Sequence, residues 1–151
     1  MEEDSTALGR KIVDANLYMV LGTADEEGRP WVSPVYFAHA DFREFYWVSR
    51  PERAHSRNLV DRPEVGIVIF DSQVPISTGQ AVYMSASAGE LTGTEREGPI
   101  EVFSQRSLEH GGVPWTLADV EPPADLRLYR AVASEQYVLD ANDERVPVSL
   151  S

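Results

Sequence analysis

A chain of 151 residues and 16.8 kDa has the size of one ordinary domain, and we read residues 1–151 as a single unit. Hydrophobic residues at 42% and charged residues at 25% suit a soluble globular fold, while 25 Asp plus Glu against 13 Lys plus Arg give a formal charge of -12 that disfavours nucleic acid and anionic membranes as partners. With no cysteine, disulfides, thiolate metal sites, iron–sulfur clusters and cysteine nucleophiles are excluded.

The acidic start, Met1-Glu2-Glu3-Asp4, is unlike the basic start of a secretory signal, and no apolar run approaches a bilayer span. The chain reads as cytoplasmic. Asp4 or Ser5 can cap a first helix carrying Leu8, Ile12 and Ala15 at helical spacing, with Gly9 as a weak point.

From Leu17 onward, β-branched and aromatic runs broken by turn formers predict strands at residues 17–24, 31–38 and 45–49. Asp25-Glu26-Glu27-Gly28 and Ala40-Asp41-Phe42-Arg43 read as hairpin turns, so these strands are expected to form an antiparallel meander. A short helix follows. Ser49 and Glu52 have capping-box spacing, Pro51 fits a first turn, and Pro63 ends the helix.

Val65-Gly66-Ile67-Val68-Ile69-Phe70 predicts a strand buried on both faces. After a polar loop, residues 80–90 predict another strand whose Ser85-Ala86-Ser87-Ala88-Gly89 segment admits a flat ligand or tight packing beneath a helix. Residues 100–108 read as a helix broken by Gly111-Gly112, and the tail as strands at 126–133, 136–139 and 146–150 around a turn at 140–144. The sum is a closed or nearly closed antiparallel barrel.

Arg50, Arg53, Arg57 and Arg62 form a basic island in an acidic chain. With Arg50, Arg53 and His55 near a helix start, the island fits a phosphate monoester; equally, its arginines can offset Glu52, Asp61 and Glu64 on a solvated face. Pro34 cannot donate to a strand ladder, so residues 31–37 lie at an edge, at a bulge, or beside a ligand for which Ser33 would supply a hydroxyl. His39, His55 and His110 lack metal-ligand spacing, and no metal site is expected. Nucleophile elbows, phosphate loops and dinucleotide fingerprints are missing, and no catalytic acid or base stands out.

The order of Leu21-Gly22-Thr23-Ala24, Gly28-Arg29-Pro30, Ser33-Pro34-Val35, Tyr46-Trp47-Val48-Ser49, Ala54-His55-Ser56-Arg57-Asn58-Leu59, Arg62-Pro63-Glu64-Val65 and Gly79-Gln80 resembles the pyridoxamine 5'-phosphate oxidase-like flavoproteins. That resemblance implies a mainly β fold with flanking helices: a six-stranded antiparallel split β-barrel that forms a homodimer, with FMN in a groove between the subunits. It implies that Ser33, Pro34 and Val35 lie along the flavin ring, and that Val48 and Ser49 contact the cofactor. By the same resemblance His55 stands where many members have a phosphate-binding Lys, Arg53 and Arg57 flank it, Asn58 braces the helix, and Gln80 reaches the flavin.

Two departures accompany it. Ala54 replaces an Arg of the true oxidases and His55 replaces the Lys, and the substrate-binding segment at the end of the true oxidases is missing after Arg127. The expected function is an FMN-dependent oxidoreductase that moves hydride between the flavin and a small organic substrate, rather than the true oxidase. Trp47, Tyr83 and Trp115 are candidates for the substrate side. The alternatives are a deazaflavin- or haem-binding protein on the same barrel, or a flavin-binding sensor or stress protein without turnover.

Overall fold

The structure is a computed structural model and describes residues 2–151. It opens with helix α1 (Glu2–Ala15). Asp4 and Ser5 lie inside this helix rather than capping it. Ile12 is buried and Leu8 half-buried, as their spacing requires, whereas Ala15, expected on the same face, is exposed and Val13 is buried in its stead. Gly9 is explained by proximity: a Cβ there would lie 2.7 Å from Leu150 and 2.9 Å from Val138, so the helix rests directly on the chain's tail.

Strands β1 (Tyr18–Ala24) and β2 (Pro30–Tyr36) form the expected hairpin. Asp25 Oδ1 accepts from the Glu27 and Arg29 amides, and Gly28 takes the left-handed φ of 83° that closes the turn. The Arg29 side chain bonds the Asp25 carboxylate and holds its pKa below the usual value.

The expected meander continues only through a bend in its middle strand. The run from Trp31 to Ala38 is not one strand, because the chain turns at the fully buried Phe37 and continues as β3 (Ala38–Ala40), which pairs with β4 (Glu44–Ser49). Helix α2 (Ala54–Asp61), β5 (Glu64–Phe70), β6 (Ala81–Glu90), α3 (Glu97–Glu109), β7 (Arg127–Leu139) and β8 (Arg145–Val148) complete the chain. The two strands predicted at 126–133 and 136–139 are a single β7 whose pairing with β6 slips beside Ser85, where Ser134 bonds back to the Ser85 carbonyl (3.1 Å).

The sheet is antiparallel throughout, in the order β2-β1-β5-β6-β7-β4-β3, with β8 on β7. Its two end strands are consecutive in sequence with only Phe37 between them, so the sheet must curl until its edges meet. Counting the bent β2–β3 segment as one strand and setting β8 aside gives the six of the expected split barrel.

One hydrophobic cluster fills the barrel, including Met19, Leu21, Phe37, Phe45, Trp47, Ile67 and Ile69. A second, with Tyr46, Leu91, Ile100, Phe103, Val120 and Leu128, packs α3 against the outside of β4 and β7. Strand β5 is not buried on both faces. Val65, Ile67 and Ile69 face the core while Gly66 and Phe70 face outward, so its apolar run marks an uncovered outer surface.

Candidate functional site

The barrel splits where β2 leaves β4. Extending the Ala38–Tyr46 register of β3–β4 back through the kink would place Tyr36 opposite Val48, but Tyr36 pairs with Tyr18 of β1. Antiparallel ladders alternate bonded and non-bonded pairs, and two bonds set the phase here: Phe37 N–H to Leu17 O (3.2 Å) and Ala133 N–H to Arg43 O (2.9 Å). Counted from these, the backbone polar groups of Val32, Pro34 and Tyr36 turn away from β1, and those of Val48 turn away from β7. Both sets face the cleft. Pro34, with no N–H, falls where its missing donor would have pointed outward, which is why a proline fits this edge strand.

The cleft's floor differs from the sequence expectation. Ser49 does not cap α2; it ends β4, and the residues after it form a turn in which Arg53 N–H donates to Arg50 O (3.2 Å). The helix starts at Ala54 with Arg53 as its N-cap residue and no side-chain cap, so Pro51 lies ahead of the first turn. Freed from capping, Ser49 Oγ shares a hydrogen bond with His55 Nε2 (2.9 Å). His55 is buried, and burial together with the Arg53 charge lowers its pKa, which favours the neutral imidazole. Asn58 Nδ2 donates to Thr23 Oγ1 (2.9 Å) and ties α2 to β1.

The basic island is divided in three dimensions. Arg53 stands beside His55; Arg57 turns to the other side of α2, in a cavity of about 270 Å³ with Asp25, Glu26 and Asp61. Arg62 donates to the Glu26 carbonyl (3.1 Å), and Arg50 lines a separate 380 Å³ cavity with Trp115 and Leu126. The solvated-face reading therefore holds for Arg62 and, in part, for Arg57.

Pro34, Val48, Ser49, Arg53 and His55 thus lie about the cleft, with Asn58 behind it; Ser33 and Val35 are on the same strand but turn their backbone groups to β1, and the Val35 side chain is buried in the barrel core. Gln80 is not among them. It precedes β6 beside the Phe70 end of β5, roughly 20 Å along the strand from the end that α2 reaches. Sequence reading missed Arg127, which lies opposite Ser49 in the β4–β7 register and braces the 124–126 segment through bonds to the Ala124 (2.7 Å) and Leu126 (2.6 Å) carbonyls. No local pattern marks it, since its place depends on the register of two distant strands. Trp47 and Tyr129 stack beneath the site, 5.7 Å between centroids, and the indole Nε1 and the Ser56 hydroxyl are buried without partners.

The donor set suits a phosphorylated planar cofactor. It offers a guanidinium, a hydroxyl and an imidazole at one end, and bare strand edges along the cleft. Among the described residues there is no group of three or more His, Asp or Glu side chains able to hold a metal ion, and no helix long and apolar enough to cross a membrane.

No curated protein matches the chain in sequence. Among solved structures, the fold is similar to a haem-binding protein from Mycobacterium smegmatis (16% identity, TM-score 0.75), matching 96% of this chain but only 57% of that one. It is also similar to a haem storage protein from Vibrio cholerae (19% identity, TM-score 0.69, 85% of this chain and 90% of that one). A third likeness is to an FAD-binding protein from Mesorhizobium loti (19% identity, TM-score 0.66, 87% and 91%). At such identities the likeness is one of fold. Residues 7–108 match the sequence profile of pyridoxamine 5'-phosphate oxidase, which spans every strand edge and side chain of the cleft, and the chain belongs to that split-barrel family.

Proposed function

We propose that the protein is an FMN-dependent oxidoreductase acting as a homodimer. The cleft carries this reading: two unpaired strand edges, at residues 32–36 and at Val48, lead to a floor made of Ser49, Arg53 and His55. The flavin ring would lie along Ser33, Pro34 and Val35, where the outward backbone groups of Val32, Pro34 and Tyr36 can match the polar rim of a planar heterocycle, and its phosphate would meet Ser49, His55 and Arg53. FMN supplies hydride chemistry when bound; the chain's part is to hold the ring, orient it and exclude water.

The uncovered outer face supports the dimer. Tyr18, Val32 and Phe70 are 58%, 61% and 46% exposed, and with Val20, Val68 and Tyr83 they make an apolar surface on β2, β1, β5 and β6. Gly22 and Gly66 lie opposite each other in its middle, leaving a groove of about 560 Å³ whose floor is bare backbone. A second copy on this face would bury the surface, and Gln80, remote from the cleft within one chain, would reach a flavin only from the partner. Val68→Arg is expected to give a monomer in sedimentation velocity at concentrations where the unaltered protein is a dimer. A wild-type monomer would remove this part of the reading.

The haem proteins of similar fold favour a second reading. Here His39 has both ring nitrogens engaged, with Asp14 (2.8 Å) and the Phe42 amide (3.1 Å), whereas His110 and His55 each use one nitrogen, on Tyr36 (2.8 Å) and Ser49 (2.9 Å), and keep the other free among the described residues. The absorbance spectrum of the purified protein decides. FMN gives a yellow protein with flavin bands and haem a Soret band, while a colourless protein that takes up no added FMN ends the leading reading. Fluorescence quenching by FMN against the deazaflavin separates those two, and anaerobic bleaching of the bound flavin by NADH or NADPH separates an enzyme from a binding module.

A further inference from the structure

His55 is an unusual side chain to meet a phosphate. It is 93% buried by its 7% exposure, its Nε2 is engaged with Ser49 Oγ at 2.9 Å, and its Nδ1 has no partner among the described residues. Nδ1 is not among the side-chain atoms that are both buried and unbonded, so with no partner it keeps contact with solvent. With Nε2–H donating to Ser49, Nδ1 carries a lone pair open to solvent. A lone pair repels a phosphate oxygen; a proton on the same nitrogen converts it into a charge-assisted donor.

The surroundings offer no carboxylate to hold that proton beforehand. On α2's side, Arg53 is the one charge that bears on the imidazole. The charges of Glu52 and of Glu90 on β6 bear on Tyr129 of β7 instead, as does Arg127. β1 and β2 bring no acid or base besides Tyr18 and Tyr36, whose hydroxyl bonds His110, and β4 brings only Glu44 and Tyr46, which lie toward its start. Arg57 faces Asp25, Glu26 and Asp61 across the helix.

We propose that the Ser49–His55–Arg53 cradle takes a phosphate monoester dianion together with one proton from solvent, added at His55 Nδ1, so that affinity for the phosphorylated flavin falls as the pH rises. The proposal rests on the flavin reading above and gives that site a regulation: cofactor loading tracks pH. The balance is simple. One proton leaves solvent and forms an imidazolium, no bond in the ligand changes, and release of the ligand returns the proton. Burial and Arg53 both oppose the charged imidazole in the free protein, which is why the anion must bring the proton with it.

FMN and riboflavin are titrated into the unaltered protein and into His55→Lys at pH 6.5 and 8.5, with flavin fluorescence as the readout. The phosphate of FMN only gains negative charge over this range, so a loss of affinity cannot come from the ligand. FMN affinity is expected to fall by about tenfold or more in the unaltered protein and to stay within about threefold in His55→Lys, with riboflavin flat in both. Isothermal titration at pH 7.5 in buffers of different ionisation enthalpy is expected to show uptake of up to one proton per FMN. A flat FMN profile with no proton uptake, or an equal slope for riboflavin, overturns the proposal and leaves the flavin reading standing. Failure of both flavins to bind at either pH overturns both.

Discussion

Arg53→Glu is expected to lower FMN affinity at least about 100-fold while leaving riboflavin affinity within about threefold. Arg53 is exposed, pairs with no carboxylate among the described residues and sits at the N-cap of α2, so its guanidinium is available to an anion. Losing a hydrogen bond between charged partners costs about 1.5–3 kcal/mol, and placing a carboxylate beside the phosphate adds repulsion of about the same size. Stability should hold, since an acidic residue at a helix start interacts favourably with the dipole. The ratio of FMN to riboflavin dissociation constants, measured by fluorescence quenching at pH 7, checks the prediction. An unchanged ratio would place the phosphate elsewhere.

Trp47→Ala is expected to destabilise the fold by about 3–5 kcal/mol, a large part of the roughly 5–15 kcal/mol that holds a domain together. Trp47 is fully buried, stacks on Tyr129 and belongs to the cluster that fills the barrel. Trp47→Phe should cost far less, within about 1–2 kcal/mol. It keeps an aromatic ring while removing an indole N–H that is buried without a partner, and an orphaned buried donor carries its own penalty of about 1–3 kcal/mol. Urea unfolding of the three proteins compares them. Equal losses for Ala and Phe would mean that the N–H is satisfied, by a buried water or a bound group.

Much of the fold was legible because each local signal had one physical reading. The Asp25–Gly28 turn, the helix broken at Gly111 and the strand texture from Leu17 onward survive unchanged in kind. The meander kept its consecutive antiparallel pairing but gained an unforeseen bend, because alternation runs smoothly through residues 31–38 and nothing local announces that Phe37 is where the sheet's two edges meet. Ser49 was misread for a related reason: a serine three residues before a glutamate satisfies a capping box on paper, yet the same hydroxyl is used by His55 once β4 runs to its full length. Double burial of β5 failed because an apolar outer face looks the same in sequence whether strands, helices or a second chain cover it. In the cleft, residues on one strand edge were within reach of sequence, whereas the parting of Arg53 from Arg57 depends on which way each leaves a single helix.

Pro34 has a consequence for solubility as well. A strand edge with exposed amides invites another chain to add itself as a new strand, the first step of many aggregation routes. In this barrel the outward edge of β2 is that hazard, and the proline removes a donor from its middle at the position that faces outward. The residue that suits this unpaired edge therefore also guards the protein against its own copies. A residue with an N–H at this position would restore the outward donor and weaken that safeguard.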